Sequence, residues 1–203
     1  MTLSQIALAA ALAAFAAGGA WAAATTQSEV PQEGQAETVA PKTPADFREE
    51  LYTRLAGSAD SDETEGLVGL LFASYGRTGS DTADLLLERA HKAIAAQDYA
   101  AAGHILDAAV AFMPERAETW NARATLRYLD DDPDGSMADI AQTLKREPRH
   151  LGALMGMASI LETRDKKKEA LEVYHRALAI APHWKSAEER AARLKAEIAG
   201  QEL

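Results

Sequence analysis

The run Asp130-Asp131-Asp132-Pro133-Asp134-Gly135 places carboxylates at alternate positions ahead of a glycine, which is how an EF-hand calcium loop opens. Such a loop closes with a bidentate glutamate at its twelfth position, here Ala141, and Pro133 is out of place inside one. The same run suits a turn between two helices, where Asp caps and Gly bends. That turn is the expected role; the alternative is calcium binding of millimolar affinity at best, because the ligands are few. Five histidines, His91, His104, His150, His175 and His183, complete the candidate chemistry, and none falls in a known spacing. There is no His-Glu-x-x-His helix, no Gly-x-Ser-x-Gly elbow and no phosphate-binding glycine loop. A nucleophile or base needs an orienting partner, so the sequence leads to no catalytic residue, no metal site and no cofactor.

Composition narrows the classes further. The 203 residues are 47% apolar but only 6% aromatic, enough for one domain whose core is Ala and Leu rather than rings. Without cysteine there is no disulfide, thiol nucleophile or thiolate metal site. A net charge of −10 disfavours a nucleic-acid partner. Lys166-Lys167-Lys168, the basic run, falls in an inter-helix turn and reads as a solvated loop.

Residues 1 to 28 carry no charged side chain. Ile6 to Ala20 is apolar and Ala-rich, and Ala20-Trp21-Ala22 has the small-x-small form of a secretory cleavage site. Residues 1–24 are therefore expected to be a signal peptide cut near Ala22–Ala24, with export to the periplasm. The alternative is an uncleaved leader anchored in the inner membrane, since about 20 apolar residues can span a bilayer. Residues 25–42, rich in Gln, Glu, Thr, Ala and Pro, have little to bury and are expected to be a disordered linker.

The elements that position everything else follow from a period. Pro114, Pro148 and Pro182 stand 34 residues apart, and residues between them repeat in kind. Small residues recur where helices must approach: Ala90, Ala124 and Ala158, then Ala102, Ser136 and Ala170, then Ala109, Thr143 and Ala177. Larger ones recur between them: Leu86, Trp120 and Leu154; Leu106, Ile140 and Tyr174; Val110, Leu144 and Leu178. Spacings of three and four give one apolar stripe per helix, and each proline ends a second helix. Ahead of the array, Thr43 caps and Pro44 starts a helix carrying Phe47, Leu51 and Leu55, stopped at Gly57. A second helix shows Leu67, Leu70, Leu71 and Tyr75. This pair, within 43–82, is expected to cover the open end of the array. Residues 183–203 are expected to hold a capping helix at the other end, with an inner stripe of Ala187, Ala191, Leu194 and Ile198.

A 34-residue helix-turn-helix pattern of this kind resembles the tetratricopeptide repeat (TPR) family. The family's tryptophan is kept at Trp120 and its turn-flanking tyrosine at Tyr99. The runs Ala117-Glu118-Thr119-Trp120-Asn121 and Glu147-Pro148-Arg149-His150-Leu151-Gly152-Ala153-Leu154 look like those of short secreted bacterial TPR proteins of undefined role. The resemblance implies an all-α fold, a right-handed α-solenoid of three units over 83–116, 117–150 and 151–182. The pattern departs from the family at Arg123 and Arg127, where apolar residues are usual. Asp139 lies on the facing helix, so Arg123 either pairs with it inside the repeat or packs its stem and sends the guanidinium to water.

The resemblance also implies where binding occurs. In the family the first helices line a concave groove, which selects Leu87, Asn121 and Met155; His91, Thr125 and Ser159; and Ile94, Tyr128 and Glu162. Apolar members suit an apolar stretch of peptide, and Asn121, Thr125 and Ser159 can hydrogen-bond its backbone. The carboxylate clamp of chaperone-binding TPR domains is missing, because the matching positions hold Leu87, His91, Ala122, Gly152 and Gly156. The function implied is a non-enzymatic adaptor that binds another protein or peptide of the cell envelope, with the membrane involved only if the leader is retained. The alternatives are an inner-membrane-anchored assembly factor and a weak calcium-binding regulator.

Overall fold

The computed structural model describes residues 43–201; the expected leader and linker, residues 1–42, lie outside it. Among the described residues every regular element is a helix: α1 Pro44–Ala56, α2 Ser61–Tyr75, α3 Asp81–Ala95, α4 Tyr99–Phe112, α5 Ala117–Leu129, α6 Pro133–Arg146, α7 Leu151–Thr163, α8 Lys167–Ile180 and α9 Lys185–Gln201. α3 pairs with α4, α5 with α6 and α7 with α8, and each hairpin packs on the next through α4–α5, α6–α7 and α8–α9. The result is an all-α solenoid.

The small-residue positions explain the close approach. Ala90, Ala124, Ala158, Ala102, Ser136, Ala170, Ala109, Thr143 and Ala177 are all buried, as are the bulkier Leu106, Ile140 and Tyr174 between them. Each unit turns in the same way. Gln97, Asp131 and Asp165, again one period apart, take left-handed backbone conformations with φ of 59°, 59° and 56°. The following amides reach back to the carbonyls of Ala93, Arg127 and Leu161 at 2.9, 2.8 and 2.9 Å. This closes each first helix and reverses the chain. Asp98 and Asp132 then cap the next helix by accepting from the amides of Ala101 and Gly135.

The aspartate-rich run is this turn in the middle unit. Asp132 is a cap, Asp134 pairs with Arg164 at 2.6 Å, and a methyl at Gly135 would collide with the Asp132 carboxylate. Nearby, Trp120 donates to the Pro114 carbonyl at 2.8 Å, with the Arg123 and Arg146 guanidinium carbons 5.1 and 4.7 Å from its ring centre. Of the two arrangements open to Arg123, the structure shows the pair: its Nε and Nη2 donate to buried Asp139 at 2.8 and 2.9 Å, and its Nη1 reaches Asp107 at 2.8 Å. Arg127 adds a contact to Asp139 at 3.2 Å.

α9 starts at Lys185, in step with Ala117 and Leu151, so it occupies the place of a fourth first helix. Its Ala187, Ala191 and Leu194 are buried against the third unit. α1 and α2 form with Thr43 as cap and Pro44 leading, but they do not stack on α3 as a preceding unit would. Leu51, Tyr52, Leu55, Leu67, Val68, Leu71 and Tyr75 join one core with residues of α7, α8 and α9. α3 instead leaves Leu85 47% exposed, whereas its counterparts one and two periods on, Thr119 and Ala153, are 0% exposed. Where Leu126 and Ile160 are buried in the later units, α3 has Lys92, paired with Glu88 at 2.5 Å. That outer face thus carries an exposed leucine beside an ion pair instead of the buried apolar row of the later units. Of the apolar residues read from the two helices, Phe47 and Leu70 are exposed.

Polar groups fix where it docks. The Tyr52 and Tyr75 hydroxyls lie 3.1 Å apart; Tyr52 donates to the Arg149 carbonyl at 3.1 Å, and the Leu151 amide donates to Tyr75 at 3.2 Å. The start of α7 is thereby satisfied from the hairpin rather than by water. Arg149 pairs with Glu49 at 2.5 Å, Arg48 lies 3.8 Å from Glu118, and Phe72 tilts against Trp184 with centroids 6.0 Å apart.

Candidate functional site

Two clefts run between the first helices. One, of about 170 Å³, is lined by Phe72, Tyr75, Leu87, His91, Glu118, Asn121, Ala122 and Thr125 among others. The other, of about 250 Å³, lies between α5 and α7, with Ala124, Ile140, Met155, Gly156 and Ile160 as its apolar lining. Asn121, Thr125, Tyr128 and Ser159 supply polar groups there, and Arg190 of α9 reaches its wall. Asn121 and Thr125 line both, so α5 forms a shared ridge.

The structure gathers seven of the nine residues selected from the sequence. Leu87 and His91 line the first cleft, Tyr128, Met155 and Ser159 the second, and Asn121 and Thr125 both. Leu87 is at the same time core, packed with Ala90, Leu106 and Leu126. The Thr125 hydroxyl donates to the Asn121 carbonyl at 3.0 Å, which leaves its oxygen able to accept from a ligand. Ile94 and Glu162 line neither cleft. Ile94 packs against the core of the first unit. Glu162 is held by Arg193 at 2.5 Å, by Arg190 at 3.5 Å and by the Tyr174 hydroxyl. Burial, with the Glu162 hydrogen bond beside it, pushes the Tyr174 phenol up to about 12.

Phe72, Tyr75, Glu118 and Arg190 also line the clefts, and the repeat pattern of the sequence does not single them out. Gly152 and Gly156, four apart on α7, are two of the empty clamp positions. A Cβ at Gly152 would meet the Phe72 ring at 3.2 Å, and one at Gly156 would meet Ile140 at 3.4 Å, so both glycines admit side chains from other helices. Burial holds the Glu118 carboxyl above the usual range even though Arg48 opposes the shift. Beside the first cleft, His150 stacks on Tyr75 with centroids 3.9 Å apart and caps α7 by accepting at Nδ1 from the Ala153 amide at 3.1 Å. Accepting there assigns the proton to Nε2, which is buried without a partner. Burial lowers the imidazole to about 3. Among the described residues no group of three or more His, Cys, Asp or Glu is placed to hold a metal ion, and no helix is long and apolar enough to cross a membrane.

No family model matches the chain. Over 161 residues it is 35% identical to a TPR repeat-containing protein of Rhizobium etli, an alignment that covers 79% of each chain. The solved structure of the first TPR of Spaghetti (RPAP3), bound to an HSP90 peptide, is similar in fold: its TM-score is 0.55 at 18% identity, over 59% of this chain and 95% of that one. With hairpins that keep one period in both sequence and space, and a curated relative at this identity, the chain belongs to the tetratricopeptide repeat family.

Proposed function

We propose that this protein is a non-enzymatic adaptor of the bacterial cell envelope, which holds a partner protein or peptide in the groove formed by α3, α5 and α7. The observation that carries this reading is the pair of clefts between the first helices, apolar in lining and edged by polar groups, with Asn121 and Thr125 shared between them. An extended chain needs that combination, because its side chains seek apolar sockets while its backbone seeks hydrogen-bonding partners. TPR proteins are in general interaction modules rather than catalysts, and the fold neighbour was solved with a peptide bound. The envelope location is supported by the uncharged, Ala-rich leader with its Ala20-Trp21-Ala22 site.

The test is photocrosslinking in cells from a reactive residue at Asn121 or Tyr128. Partners captured there and lost on altering Met155 support the groove; partners captured only from outer positions such as His104 on α4 would sink it. Mass spectrometry of the native N-terminus with membrane fractionation tests the address. A chain starting near Thr25 supports release to the periplasm, and an intact leader in the membrane fraction supports the anchored assembly factor instead.

A further inference from the structure

We propose that the cleft between α5 and α7 selects an extended peptide carrying an apolar side chain and, two residues along, a side-chain carboxylate that pairs with Arg190. This rests on the groove reading above and adds the chemistry of the ligand.

The apolar preference comes from the cleft's lining. Ile140 and Ile160 are buried around it, and Met155 lines it half-buried. Gly156 contributes no side chain, and Ile140 packs close against it, where a Cβ would meet Ile140 at 3.4 Å, so Ile140 forms part of the cleft's apolar floor. A volume of about 250 Å³ accepts one bulky side chain but not a folded element. Asn121, Thr125 and Ser159 lie beside it for backbone contacts, and an extended backbone turns every second side chain to the same side, about 7 Å apart.

The acidic preference comes from charge. Arg190 is the one charged residue among those lining this cleft, and it is positive although the whole chain carries −10. The guanidinium is aimed rather than free to sweep: Nη1 lies 3.2 Å from the Tyr174 hydroxyl and 3.5 Å from Glu162. Glu162 does not saturate it, because that carboxylate is divided with Arg193 at 2.5 Å and with Tyr174. The Arg190 side chain is 43% exposed, and a guanidinium carries five N–H donors in a planar fork that matches a carboxylate. One oriented guanidinium suits a side-chain carboxylate; a chain terminus is normally gathered by several converging donors, and the sequence positions that would provide them hold Leu87, His91, Ala122, Gly152 and Gly156.

Fluorescence anisotropy on the purified full chain tests this with short labelled peptides of Ser and Gly, acetylated and amidated. Each carries one Leu and, two positions later, Glu, Gln or Lys. The Glu peptide is expected to bind about 5- to 10-fold more tightly than the Gln peptide, as one charge-assisted pair at a partly exposed site allows, with the Lys peptide weakest. Arg190→Gln should bring the Glu peptide to the Gln level, and Arg190→Lys should keep part of the difference. Melting curves for each variant establish that the fold survives. Equal binding of Glu and Gln peptides, a difference that outlasts Arg190→Gln, no saturable binding of the Glu peptide, or tighter binding of a Leu-terminated free acid would each overturn the inference. Thr125→Trp, which fills the shared ridge from an exposed position, separates the two readings. If it abolishes binding of all three peptides while they bind the native chain equally, the groove stands and only the charge preference falls. Binding that ignores Thr125→Trp brings down both.

Discussion

At the scale of single residues, the middle unit is held by an ion pair inside its helical hairpin. Asp139 is buried and receives two parallel bonds from Arg123 plus one contact from Arg127. Removing Arg123 leaves buried Asp139 with Arg127 alone, and removing Asp139 leaves Arg123 with Asp107 alone, so Asp139→Ala and Arg123→Ala should each cost about 3 kcal/mol, the low end for breaking a buried pair. A double-mutant cycle by urea denaturation should show coupling of about 2 kcal/mol; additive losses would mean the pair contributes nothing of its own. The sequence offers this pair as one of two arrangements, because Asp139 lies on the facing helix, but it does not decide between pairing and a guanidinium that reaches water. Its third member, Asp107, is not legible there, since it comes from the preceding unit. Arg190 escapes for a similar reason: α9 reads as a cover, and nothing in its local pattern says that it also forms a groove wall. His150 gives the pH dependence. Its folded pKa lies below the ordinary 6.5, at about 3, because burial disfavours the charged form. Between those values the unfolded chain takes up a proton that the folded chain refuses. The contribution is therefore complete above 6.5 and declines as pH falls toward 3, by at most about 1.4 kcal/mol per pH unit. His150→Asn keeps an acceptor for the Ala153 amide but cannot titrate, so the difference between wild-type and variant pH profiles isolates this slope. Parallel profiles would show that the ring is not shielded as described.

Helices and turns are where the sequence is most readable. A 34-residue repetition of size and polarity locates six helices, because small residues at a helix contact and a proline beyond it each have few substitutes. The turns are less readable. Left-handed backbone at Gln97, Asp131 and Asp165 falls on no glycine, so composition alone does not mark it. A non-glycine residue there is strained relative to glycine, which makes Asp131→Gly a stabilising substitution of up to about 1 kcal/mol by denaturant midpoint. A loss of stability would imply that the Asp131 side chain has a role of its own. The N-terminal hairpin marks the limit of local reading. Its helices follow from Thr43, Pro44 and the apolar spacing, but its docking place depends on Tyr52, Tyr75 and Arg149 meeting across long stretches of chain, and no periodicity encodes that.

On the scale of the whole molecule, solenoids are held by contacts between neighbours, so losing a terminal unit normally leaves the others standing. Here Leu51, Leu55, Leu67 and Leu71 share a core with Leu154, Val173, Tyr174 and Leu194. A chain ended at Lys166, without α8 and α9, should lose helix in α1 and α2 as well as at the cut. Hydrogen exchange reads this directly: slow exchange surviving in α1 after truncation would show that the hairpin stands on its own. The same closure sets the gauge of the array. Repeat proteins evolve by duplicating a unit, since a new copy fits wherever an old one did. An extra unit spliced in before Pro148 would carry Arg149 and Leu151 away from the tyrosines that meet them, so lineages that keep this buckle are expected to keep its three-unit span and to vary their binding surface by substitution instead.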